Sequence, residues 1–237
     1  MSIDSVAAAP QDTRTADPGD ALVVQGLSAW YGDAQAIFGV DFRVARTSAT
    51  GVVGLNGAGK STLLNAIARV HRRIRGRIVF AGRDIAGLSP EECAFTGVSL
   101  VREGGRLFAN LTVGENLSLG QRLARLRRGA ARDPNALQRI WTLFPMLEER
   151  QAQKAAYLSG GQRQALALSV ALVSEPSLLL LDEPSAGLAP STARSFFESL
   201  ATVARGEITL LVVEQNRRWI DGLVDQMLVL ENGRLRS

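Results

Sequence analysis

The chain has 237 residues, 46% hydrophobic and 21% charged, enough to bury a sizeable core as one large domain or as one domain with a subdomain. One cysteine, Cys93, and one histidine, His71, exclude an internal disulfide framework and a Cys/His zinc centre. No apolar run approaches the roughly 20 residues needed to span a bilayer, and a net charge of +4 permits an anionic partner without naming one.

Residues 1–20 are rich in Ala, Asp, Pro and Thr and lack the basic-then-apolar order of a secretory signal, so they read as a disordered leader. From residue 21 the pattern predicts strands over 22–30 and 37–44 with a Tyr31-Gly32-Asp33 turn between them. A short apolar run from Val52 to Leu55 leads into a helix over about 60–70. Strands follow over 76–80, closed by an Ala81-Gly82 turn, and over 98–101. Between about 104 and 174 the spacing turns helical, over 112–121, 135–144 and 160–174, which predicts a helical subdomain. Arg122, Arg125, Arg127, Arg128 and Arg132 form a basic cluster there, read as a solvated helix end or, alternatively, a contact for a partner or anionic lipid. The last third alternates again: strand 178–181, helix 190–205, strands 209–213 and 227–230. The order is that of an α/β sheet.

Gly54-Leu-Asn-Gly-Ala-Gly-Lys-Ser-Thr62 fits the phosphate loop Gly-x-x-x-x-Gly-Lys-Ser/Thr, placed after an apolar stretch and before a helix. Its glycines let backbone N–H groups point at phosphate oxygens, and the helix start adds positive potential. Lys60 reaches the β/γ-phosphates, and Ser61 is the expected Mg²⁺ ligand. Lys60 and Lys154 are the only lysines in a chain whose other cations are all arginine. An ammonium on a flexible stem threads between loop and phosphate where a broad guanidinium does not. Leu178 to Leu181 end in Asp182-Glu183, two carboxylates whose desolvation calls for a cation or a reaction. Asp182 then holds Mg²⁺ through its water shell, and Glu183 polarises the attacking water. Leu158-Ser-Gly-Gly-Gln162 opens the helix at 160 and makes a second anion-binding helix start, or simply a good N-cap.

With these three motifs, residues 21–235 resemble the ATP-hydrolysing subunit of an ABC transporter. The resemblance implies a phosphate-loop NTPase of α/β class, with a RecA-like core, an antiparallel β subdomain and a helical subdomain, over 21–237. It implies an ATP-binding set of Tyr31, Gly54, Asn56, Gly57, Ala58, Gly59, Lys60, Ser61 and Thr62, with Tyr31 stacking on adenine. It further implies that Ser159, Gly160, Gly161 and Gln162 act on a partner's ATP in a head-to-tail dimer, and that Ser185 to Leu188 cross to the other subunit.

Most members carry a Gln where this chain has Glu103 and a His where it has Gln215. By the resemblance Glu103 joins Ser61 and Asp182 as a metal ligand, while Gln215 joins Glu183 as a catalytic residue. The segments 103–108, 111–117, 187–190 and 213–216 are similar to LivF-type ATPases of branched-chain amino-acid importers; urea and short-amide importers share much of the pattern. Departures from that subgroup are Arg102 for Pro, Gly105 for Arg and Val170 for Arg. The implied partners are a second copy or a LivG-type ATPase, membrane permease subunits and, indirectly, a periplasmic substrate-binding protein, at the cytoplasmic face of the inner membrane with no nucleic acid. Two other readings stay open: a soluble ABC ATPase acting on nucleic acid or the ribosome, and a weakly hydrolytic ATP-binding subunit.

Overall fold

The computed structural model describes residues 19–129, 132–206 and 208–236; the leader expected over 1–20 lies, but for its last two residues, outside them. The strands are β1 Asp20–Tyr31, β2 Ala34–Ala45, β3 Ala49–Val53, β4 Ile74–Phe80, β5 Arg83–Asp84, β6 Val98–Val101, β7 Leu178–Asp182, β8 Thr209–Glu214, β9 Gln226–Glu231 and β10 Arg234–Leu235. The helices are α1 Lys60–Ile67, α2 Pro90–Thr96, α3 Val113–Arg128, α4 Ala136–Leu143, α5 Pro145–Glu148, α6 Gly160–Val173 and α7 Pro190–Ala204.

The strands form two sheets. One is antiparallel, in the order β2-β1-β4-β5, and begins with a hairpin turned at Gly32 and Asp33. The other runs β10-β9-β3-β8-β7-β6, parallel throughout except for its two-residue edge strand β10. Parallel strands covered on both faces read as continuous apolar runs. Leu178 and Leu180 of β7 accordingly enter one buried cluster with the antiparallel sheet and α1, whereas Leu179 and Leu181 enter a second with α3, α4, α6 and α7. Leu210 and Val212 of β8 face the second cluster, and Leu211 and Val213 the first.

α1 touches strands of both sheets, so the segment before it is clamped between them. The helix stops at Ile67, three residues short of the expected end, because Arg69 takes a left-handed φ of 62°. α3 runs seven residues beyond its expected end at 121 and packs along α6. The two helices meet where a Cβ on Gly120 would overlap the Val170 carbonyl. Val170 is packed against the core there, which accounts for an apolar residue at that position. Gly105 has φ 55°, and a side chain on it would crowd Ala167 and the Arg163 carbonyl of α6. Within the basic cluster Arg127 donates to the Ser174 and Glu175 carbonyls, and Arg128 pairs with Glu175 at 3.7 Å. Those two arginines close off the end of α6.

Candidate nucleotide site

The loop between β3 and α1 is shaped by two glycines with positive φ, Gly57 at 80° and Gly59 at 103°. Gly59 is also tightly enclosed, since a Cβ there would lie 2.8 Å from the Ile37 side chain and 3.1 Å from the Ala36 carbonyl. Gly54, at the base, sits against the Leu230 carbonyl, leaving no room for a side chain. No side chain caps the start of α1 and no acid lies in its first turn, so its N-terminal N–H groups keep their positive potential for an anion. Asn56 is exposed at the tip, whereas Ala58 and Thr62 are buried beneath it.

The Lys60 side chain, 3% exposed, folds back under the loop. Its Nζ donates to the Gly54 carbonyl at 2.7 Å and the Leu55 carbonyl at 2.9 Å, and pairs with Glu183 Oε1 at 2.9 Å. Next to it the Ser61 hydroxyl donates to Asp182 Oδ1 at 2.9 Å. β3 and β7 are separated only by β8, which brings the loop after one and the carboxylates after the other to the same sheet edge. Asp182 is buried, and desolvation pushes its pKa up; the charges of Glu183 and Glu103 add to that, while the Ser61 hydroxyl and Lys60 oppose it. Glu183 has φ 42°, a conformation non-glycine residues adopt at a cost, and its N–H donates to the Val213 carbonyl at 3.0 Å.

Glu103 lies in an exposed turn after β6, and Gln215 is exposed where the chain leaves β8. Sequence reasoning missed the residue between them in this network. Glu214 is 1% exposed and accepts from Ser185 N at 2.9 Å, Ser185 Oγ at 2.9 Å and Gln215 N at 3.2 Å. Burial and the Glu183 charge push its pKa up against those three hydrogen bonds. The signal was available: an acid ending the apolar run 210–213 carries the same desolvation argument as Asp182.

Tyr31 stands at the hairpin end, 54% exposed, with Thr62 Oγ1 donating to its hydroxyl at 3.4 Å. Its ring centroid lies 4.5 Å from that of His71, whose Nε2 meets the Trp30 carbonyl at 3.0 Å. His71 thus braces the Tyr31 ring against the end of β1. Ser159 caps α6 reciprocally: Gln162 N donates to its Oγ at 3.3 Å, and its own N–H donates to Gln162 Oε1 at 2.9 Å. Gly160 is exposed and Gly161 abuts Thr192 of α7. Among the described residues no hydrogen bond or ion pair joins this helix start to the phosphate loop.

The donors present suit Mg²⁺. Ser61 and Asp182 offer hard oxygens where three carboxylates outnumber one ammonium, yet among the described residues no three acids, histidines or cysteines converge into a metal cage. A small cation held by one or two protein oxygens, phosphates and water fits that arrangement.

A phosphate loop at a parallel-sheet edge, with a serine bonded to a strand-end aspartate, defines a P-loop nucleotide-binding protein. The family model described as ABC transporter matches residues 37–186. The chain is 39% identical over 213 residues to the high-affinity branched-chain amino acid transport ATP-binding protein BraG of Pseudomonas aeruginosa, covering 88% of each. It is 35% identical over 210 residues to the probable branched-chain amino acid transport ATP-binding protein LivF of Archaeoglobus fulgidus, covering 88% of this chain and 87% of that one. Its fold superposes with TM-score 0.78, at 25% identity and over 92% and 90% of the two chains, on a nucleotide-free ATP-binding cassette from an ABC transporter. The chain belongs to the ABC transporter ATP-binding family, whose members couple ATP hydrolysis to transport.

Proposed function

We propose that this chain energises an importer of branched-chain amino acids from the cytoplasmic face of the membrane. The observation that carries the chemical part is a pair of adjacent links from the phosphate loop to the end of β7, Lys60 to Glu183 and Ser61 to Asp182, each at 2.9 Å. In this reading Gly54 to Thr62 wrap the phosphates, Tyr31 stacks on the adenine, and Lys60 binds the β/γ-phosphates. Ser61 and Asp182, with Glu103 nearby, hold Mg²⁺, which neutralises charge on the phosphates when bound. Glu183 orients and polarises the attacking water, and Gln215 donates to the γ-phosphate. Ser159, Gly160, Gly161 and Gln162 complete the ATP site of a second ATPase subunit, either another copy or a LivG-type chain.

No described helix is long and apolar enough to cross a membrane; in this reading membrane permease subunits carry the solute. The groove between β6 and the α3–α6 pair, about 290 Å³ and lined in part by Arg102, Leu107, Leu119 and Val170, offers them an apolar seat. The amino-acid substrate is supported by the names and coverage of BraG and LivF. Glu183→Gln tests both halves. Purified protein is expected to keep ATP binding and lose roughly 10²–10⁴-fold in turnover. Cells carrying it as their only copy are expected to lose uptake of labelled leucine. Normal turnover would remove Glu183 as the base, and loss of urea uptake with leucine uptake intact would reassign the substrate.

A further inference from the structure

Pro184 has no N–H, so the first two backbone donors after β7 are those of Glu183 and Ser185, and both are bound by the end of β8. Glu183 N goes to the Val213 carbonyl and Ser185 N to Glu214 Oε1. Glu214 Oε2 then takes the Ser185 hydroxyl and the Gln215 N–H together. One buried carboxylate therefore joins the turn that carries Glu183 to the loop that begins with Gln215. Burying a carboxylate next to the Glu183 charge is costly, and a neutral residue could close a strand end at less cost. The return lies in geometry: Glu183 is held at φ 42°, a conformation that persists only where its surroundings over-determine it.

We propose that Glu214 is a positioning residue for ATP hydrolysis, its carboxylate fixing the Ser185 turn against the Gln215 loop so that Glu183 and Gln215 approach the γ-phosphate from set directions. The proposal rests on the roles given above to Glu183 and Gln215. Glu214 acts through those two residues and touches no phosphate itself. Its three bonds separate by substitution. Ser185→Ala removes the hydroxyl donor alone. Glu214→Gln keeps an acceptor for Ser185 N, but turns an amide N–H₂ toward the Gln215 N–H or toward Ser185. Glu214→Ala leaves all three donors without their acceptor.

The test measures kcat and KM for ATP with excess Mg²⁺ on the full-length chain, well below each variant's Tm. Displacing a reacting group by about 1 Å can cost ~10²-fold. Glu214→Ala is therefore expected to lose about 10²-fold in kcat, Glu214→Gln about tenfold and Ser185→Ala less, each with KM within about twofold of the parent. The double variant Ser185→Ala/Glu214→Ala is expected to match Glu214→Ala, because both changes break the same link. A merely structural contact lowers Tm and leaves kcat in place. Parent-like kcat in both Glu214→Gln and Ser185→Ala overturns the proposal, and these two variants decide the matter if Glu214→Ala fails to fold. Loss of turnover in Glu183→Gln alongside parent-like Glu214 variants overturns this proposal alone. Parent-like turnover in Glu183→Gln overturns the reading beneath it.

Discussion

Asp182 shows most clearly that the site costs the fold something. It is buried, and its pKa is raised by desolvation and by two neighbouring carboxylates. An acid whose pKa is higher in the folded state binds more protons there than when unfolded, so its contribution to stability falls as pH rises through the window above the usual carboxylate value. Asp182→Asn keeps an acceptor for the Ser61 hydroxyl and removes the charge. It is expected to raise Tm at pH 7.5 by about 2–4 °C for each kcal/mol relieved, with the gain shrinking to nothing as pH approaches 4. Thermal melts of nucleotide-free protein across pH check this; a gain that grows on acidification reverses the sign and refutes the argument. Asp182 and Lys60 were legible because local chemistry announces them, an acid after four leucines and a lysine in a glycine-rich loop. The pairing of Lys60 with Glu183 was not, since it depends on β3 and β7 lying on either side of β8 in the sheet.

Elements of eight or more residues were read from periodicity to within a few positions, except α3, whose Arg-rich end masks the amphipathic stripe. The shorter strands β4, β6, β7, β8 and β9 were read as well, whereas α2, α5, β5 and β10 were missed, for different reasons. α2 has seven residues and a capping box in which Ser89 and Glu92 bond reciprocally, a signal present in the sequence but unsupported by a periodic run long enough to weigh. β10 has two residues and exists only because β9 offers it an edge. Packing between elements is equally invisible in one dimension, and Gly120 is the case with most consequence. Gly120→Val would force its side chain into the Val170 carbonyl and the Val173 side chain and push α3 off α6. Overpacking of this kind costs about 1–3 kcal/mol. A clear fall in Tm is expected, with ATP affinity at the loop retained; unchanged Tm in a melt, or lost nucleotide binding in a titration, contradicts the assignment of that glycine to helix packing.

At the level of the whole molecule the two sheets divide the work. The antiparallel sheet carries Tyr31, the parallel sheet gathers the phosphate loop and acids at one edge, and the α3–α6 layer holds the capped serine of the second helix start. That serine shares no hydrogen bond or ion pair with the loop of its own chain, among the described residues. A division of this kind has a genetic signature. On the proposed head-to-tail pairing, Lys60→Ala in the loop and Ser159→Arg at the helix start are each expected to be inactive alone, and a mixed pair places both lesions in one of its two sites and leaves the other whole. If two copies of this chain form the pair, co-expression is expected to restore up to about a quarter of parental ATPase, taking random pairing and independent sites. If the second subunit is a different chain, the mixture stays as inactive as its parts. The separation of serine from loop turns the choice between self-pairing and a foreign partner into a complementation assay.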